Sequence, residues 1–269
     1  MRIFRSGLRK LQRRMVTWIT FGLLVGLLAL ILIAVGATAH QQPTAQGRAA
    51  ALLLVTFPGA YSFVLEFILG LGGLFAVIYG AAIAGSEWTW GTLKNAVARG
   101  ESRSRYTLMT FLAVGLFIGL GLVLAYVLGV LCAILGATLA GVSTDGLNDS
   151  ATLSKLPDEL ARGWLAVAMA GALGYAIATL ARSQLAGIGA GIGFYFAESF
   201  ARIFLPDIIR YFPFTAAGAV IATPPTTGEG GGGFANPLQP DAALVVCALW
   251  LIGGLLVAAV FTERAEISG

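Results

Sequence analysis

The sequence predicts an all-α integral membrane protein of six transmembrane helices, with a basic amphipathic helix at its N-terminus and a short amphipathic helix on the cytoplasmic side. Two observations carry this. Of its 269 residues 58% are hydrophobic and 11% charged, with a mean hydropathy of +0.86, whereas soluble domains carry about 25% charged residues. Apolar runs of about 20 residues, long enough to cross a hydrocarbon core of about 30 Å, recur along the chain.

Residues 1–17 are expected to form the N-terminal amphipathic helix. Arg2, Arg5, Arg9, Lys10, Arg13 and Arg14 are its cations, and Phe4, Leu8, Leu11 and Met15 recur at helical spacing on one face. Such a segment lies on an anionic leaflet. The first span covers 18–38. Ala37-Thr38-Ala39 imitates a signal-peptidase site, but the apolar run exceeds the 7–15 residues of a signal h-region, so the span is expected to stay uncleaved. The second span, 61–84, contains Glu66, which is costly in lipid unless it faces protein or water. Its Gly70, Gly72 and Gly73 invite close approach by a neighbouring helix.

Between the second span and the third lies a polar stretch, 86–106. Ser86 is expected to cap a helix, with Glu87 in its first turn, Gly100 as its stop and Ser102 as the restart. On that helix Trp90, Leu93 and Val97 share one face, while Glu87, Gly91 and Lys94 lie on another. The third span is placed at 107–130, followed by an apolar outer segment to Val142. Residues 143–159, with Asp145, Asp149, Asp158 and Glu159, are expected to be an outside loop.

The fourth span is 163–180, and a turn at 181–184 leads to the fifth, 185–205. Gly187 with Gly191, and Gly189 with Gly193, form two G-x-x-x-G pairs suited to close helix packing. Glu198 and Arg202 stand at i,i+4, as an intrahelical pair or as a polar lining of a transport path. Residues 206–240 form the largest outside loop, with an interfacial helix expected at 207–212. Its run Gly230–Gly233 lacks the Lys-Ser or Lys-Thr of a phosphate loop and reads as a linker. The sixth span is 242–261.

Twelve of the seventeen Lys and Arg residues fall in 1–17, in 86–106, at Arg182 or at Arg264. This asymmetry puts both termini and the 86–106 stretch in the cytoplasm. The charges therefore suit a membrane surface, and a nucleic-acid partner is not expected. Cys132 and Cys247 each lie inside an apolar run, with neither metal-ligand spacing nor a disulfide framework. With one histidine and no Walker A motif, the chain is not expected to be an enzyme by itself.

The ordered set Glu87, Gly91-Thr92-Leu93-Lys94, Arg99-Gly100 and Ser102-Arg103 resembles the cytoplasmic coupling loop of type-2 ATP-binding-cassette (ABC) exporter permeases. Where that family often carries a Lys after the Ser-Arg pair, this chain has Thr110. The resemblance implies the membrane subunit of an ATP-driven exporter in a bacterial-type cytoplasmic membrane, working with a second permease copy or a paralogous permease. It also implies ABC ATPase subunits as partners, which would bind the ATP and Mg, with no cofactor in this chain. Residues 1–17 would then be the elbow helix, and 86–106 would carry the coupling helix. There Glu87, Lys94, Arg99 and Arg103 would make polar docking contacts, and Trp90, Leu93 and Val97 apolar ones. Gly91 and Thr92 would permit close contact, and Ser102 would belong to the same coupling site. Two other classes compete: an ion-coupled carrier using Glu66 or Glu198, and a non-transport membrane enzyme or scaffold.

Overall fold

A computed structural model describes residues 2–221 and 237–265, apart from the side chains of Arg2, Ile3, Arg5 and Lys94. The glycine run 230–233 lies outside the described residues. Every regular element among those described is helical: α1 Arg2–Gln12, α2 Met15–Thr38, α3 Ala45–Leu53, α4 Gly59–Thr89, α5 Thr92–Val97 and α6 Arg103–Leu139. They continue with α7 Ser150–Ala181, α8 Gln184–Phe204, α9 Pro206–Ile209, α10 Pro213–Gly218 and α11 Pro240–Arg264. Five of these, α2, α4, α6, α7 and α11, are long and apolar enough to cross a membrane.

The core is the parallel pair α4 and α7, which pack on each other more extensively than any other two helices, with Gly163 beside Leu69 and Gly171 beside Gly80. Small residues make that possible. A Cβ on Gly80 would stand 2.0 Å from the carbonyl oxygen of Gly171, and one on Gly174 equally close to that of Val77. The two backbones therefore touch where side chains would hold them apart. Of the three glycines expected to admit a neighbour, a Cβ on Gly70 or Gly73 would meet nothing within 4 Å, and one on Gly72 would lie 3.5 Å from Leu24 of α2; the closest approaches on α4 lie further along, at Gly80 and Gly85. Around the pair, α2, α6 and α11 expose Leu, Ile and Val along their outer faces, as suits contact with lipid.

Several boundaries differ from expectation. The third span is not 107–130 plus an outer segment but one 37-residue helix, about 55 Å long at 1.5 Å per residue. Several of its internal glycines are packing positions and do not break it. Gly129 lies against Leu28 and Val64, Gly136 against the Leu32 carbonyl and Val55. The helix ends just before Gly141, at φ 64°. The expected loop 143–159 is also largely helical, for Asp149 caps α7 by accepting from the Thr152 amide at 3.1 Å. This bond and the Thr152 hydroxyl hold the Asp149 carboxyl below its ordinary range. Met15, placed on the elbow's apolar face, instead begins α2 and is 79% exposed. Leu11 is the elbow's buried anchor, and Gly7 meets Ala113 of α6.

α8 occupies the predicted fifth span but falls short of the others in apolar character. It runs antiparallel beside α4: Gln184 against Gly85, Gly191 against Val77, and the Tyr195 hydroxyl donating to the Gly70 carbonyl at 3.4 Å. Gly187 packs on Ala178 and Gly191 on Val77, whereas Gly189 and Gly193 face open space. In place of one interfacial helix at 207–212 the chain forms two short ones, α9 and α10, because Phe212 is extended ahead of Pro213.

Candidate functional site

The chain at 86–106 folds differently from a capped helix beginning at Ser86. α4 continues through Thr89, so Ser86 and Glu87 lie in its last turn, and Ser86 donates back to the Ile83 carbonyl at 2.8 Å. A helix-interior serine makes such bonds. The helix persists because the face carrying Gly85 is already packed on Gln184. Gly91 then turns the chain at φ 63° into the six-residue α5, and Gly100 at φ 83° turns it again toward Ser102 and α6.

Glu87, 4% exposed, is the centre of this region. Its Oε1 accepts from Lys10 Nζ at 2.5 Å and Arg14 Nη2 at 3.3 Å. Its Oε2 accepts from the Tyr106 hydroxyl at 2.6 Å and from the Thr92 hydroxyl. Arg14 also donates to the Ser86 hydroxyl, and its guanidinium lies 4.9 Å from the Trp90 ring centroid. One carboxylate thus joins the end of α4 to the elbow, the start of α2, the start of α5 and the start of α6. A buried acid is tolerable only with such partners, since desolvation would otherwise penalise its charge.

Other contacts gather at the same end. Arg103 donates to the carbonyls of Glu263 and Ala265 at 3.2 and 2.6 Å, and the Ser104 amide to Glu263 Oε2 at 3.1 Å. Arg182 lies 5.3 Å from the ring centroids of both Trp88 and Phe261. The basic N-terminal segment, the 86–106 loop, the 181–184 turn and the end of α11 therefore share one end of the bundle.

The predicted docking residues divide in two. Glu87 and Leu93, each 4% exposed, are buried against this chain itself, and Thr92 serves Glu87. Trp90, 63% exposed, Arg99 and Ser102 are open, while Gly91, Val97 and Arg103 are half-buried. The side chain of Lys94 lies outside the described residues.

Of the acids within the spans, Glu66 is exposed on α4. Glu198 is 3% exposed, and the direct pair expected with Arg202 is not formed. Glu198 instead accepts from the amides of Phe214 and Thr215 at 3.2 and 2.5 Å, and from the Thr215 hydroxyl at 2.8 Å. Arg202 donates to that same hydroxyl at 3.1 Å. The pair is mediated by Thr215, and the carboxylate satisfies free amides at the N-terminus of α10. The sequence reading missed Lys10, Arg14, Tyr106 and Thr215 as partners. Lys10 and Arg14 counted only as positive-inside charges, and nothing local links them to an acid 77 and 73 residues away. No group of three His, Cys, Asp or Glu suited to a metal occurs among the described residues.

No match to a curated protein was found. The family model described as ABC-2 family transporter protein matches residues 3–198, which takes in the elbow, α2 through α7, the whole 86–106 loop and most of α8. With that match over more than half its length and five membrane-crossing helices, the chain belongs to the ABC-2 transporter family as a multi-pass membrane permease.

Proposed function

We propose that this permease is the membrane subunit of an ATP-driven exporter, that two such chains (or this chain and a paralogue) form the path, and that its 86–106 loop docks on a separate ATPase subunit. ATP and Mg would bind on that partner. α8 supplies the sixth crossing, which returns both termini to the cytoplasmic side, where the basic residues lie. The observation that carries the reading is the Glu87 hub beneath an exposed Trp90. A push on the loop from a partner reaches α4 through Glu87 itself, α6 through Tyr106, and the elbow and α2 through Lys10 and Arg14. Closure of the ATPase pair on ATP would thereby tilt several spans at once, a two-position device of the kind that transmits coupling.

In this scheme Trp90, Arg99 and Ser102 meet the ATPase, and Glu87, Thr92 and Leu93 hold the loop in shape from inside. Arg103 fixes the end of α11 rather than the partner. The test is co-purification and coupled ATPase activity of the assembled complex carrying Trp90→Asp and Arg99→Asp together. Both residues are exposed, so the permease should insert and fold as before while ATPase binding and coupled turnover fall at least tenfold. Full binding and turnover in that variant would mean that the loop is a connector only.

A further inference from the structure

A cavity of about 520 Å³ opens between α1, the start of α2, the end of α4 and the start of α8. Its polar lining is Lys10, Arg13, Arg14, Ser86 and Gln184, with Trp90 over one side. Three cations line it, and the one carboxylate bound to them, Glu87, is shared by Lys10 and Arg14. An excess of two positive charges remains at the wall. Moreover, the Arg14 side chain is 10% exposed, and its Nε is buried without a hydrogen-bond partner. A buried N–H with no acceptor is uncommon and asks for one. An anion in this cavity would meet the exposed Arg13 guanidinium and, with a small shift of the Arg14 side chain, give its buried Nε–H the acceptor it lacks.

We infer that the cavity is a headgroup site for one anionic phospholipid of the leaflet in which the elbow lies. The volume is that of an ordinary ligand pocket. What points to a lipid rather than a free anion is the other wall, made by Met15, Val16 and Ala82. Met15 begins the stripe Met15, Ile19 and Leu23, which are 79%, 56% and 50% exposed along a membrane-crossing helix. Phosphate in the basic pocket with acyl chains along that stripe satisfies both walls. The inference requires that the chain sit in a membrane and does not depend on ATPase docking.

The test uses the purified full-length chain equilibrated with equimolar phosphatidylglycerol and phosphatidylcholine, with retained lipid read by native mass spectrometry. Wild type should retain phosphatidylglycerol preferentially, and Arg13→Gln should cut that preference about fivefold, the effect of one cation near an anionic lipid. Arg14→Lys, which keeps the charge beside Glu87 but removes the guanidinium Nε–H, should also reduce it. Arg48→Gln, in α3 beyond the far end of α2, should leave it unchanged, and excess inorganic phosphate should not displace the lipid. Equal retention of the two lipids, an unaltered preference in Arg13→Gln, or an equal loss in Arg48→Gln would overturn the site. Displacement by inorganic phosphate would overturn the lipid as its occupant.

Discussion

Replacing Glu87 by Ala removes the acceptor shared by four side chains while leaving Lys10 and Arg14 in place. Removing one partner of a buried ion pair costs about 3–5 kcal/mol. The Arg14 side chain is 10% exposed and cannot rehydrate freely, but that of Lys10 is 31% exposed and can, which places the expected loss near the lower bound, about 3 kcal/mol. The loss should be local, for α4 and α7 stay packed through Gly80, Gly171 and Gly174. Hydrogen exchange in nanodiscs is the fitting assay, because it reads segmental opening. At about 1.4 kcal/mol per tenfold, amides 8–14 and 92–97 should exchange on the order of a hundredfold faster in Glu87→Ala. Those in the middle of α4 and α7 should keep wild-type rates, and Arg99→Asp, at an exposed position of the loop, should leave residues 8–14 unchanged. If the elbow and α5 exchange at wild-type rates in Glu87→Ala, the carboxylate does not hold them and the hub argument fails.

Other outcomes follow from the same contacts. Gly174→Ala drives a methyl into the Val77 carbonyl and should lower stability by about 1–3 kcal/mol, whereas Gly189→Ala, in open space, should not, as thermal unfolding in detergent would record. Glu198→Gln weakens the hold on α10 and should cost about 1.5–3 kcal/mol by the same measurement, with faster exchange at 214–218. Arg162→Ala loses bonds to Asp158 and Asp241, whose side chains are 69% and 88% exposed, so it should leave the midpoint of thermal unfolding almost unchanged, with a still smaller effect in high salt. In a background lacking Cys132 and Cys247, Ser104→Cys and Ser143→Cys should label from opposite sides of the membrane, with the first on the cytoplasmic side. Labelling from one side would break the topology.

Much of the fold was legible because a membrane segment is written in one dimension: apolar runs, charges at their ends and glycines at their contacts. The six apolar runs fall in helices, five of them long and apolar enough to cross a membrane, and Gly100 and Ser102 mark the break before α6 as read. The errors came where one local signal competed with packing. Ser86 has the chemistry of a cap, yet Gly85 is already seated on Gln184 and α4 runs on. The four acids in 143–159 suggested a loop, but Asp149 starts a helix there. Glu198 and Arg202 have the spacing of a pair and are separated by a threonine brought from α10. The candidate site was half visible. Its loop carried a recognisable order of residues, but the partners of Glu87 come from a segment whose cations looked like membrane anchors alone.

The central claim, that the 86–106 loop is where an ATPase engages this permease, is tested most directly by photocrosslinking. A benzoylphenylalanine in place of the exposed Arg99 should crosslink to a nucleotide-binding subunit in native membranes, with a yield that changes when ATP is added. The same probe in place of the exposed Asp145, at the other end of α6, should not. Absence of any nucleotide-binding adduct from position 99, in membranes where the assembled complex hydrolyses ATP, would contradict the account.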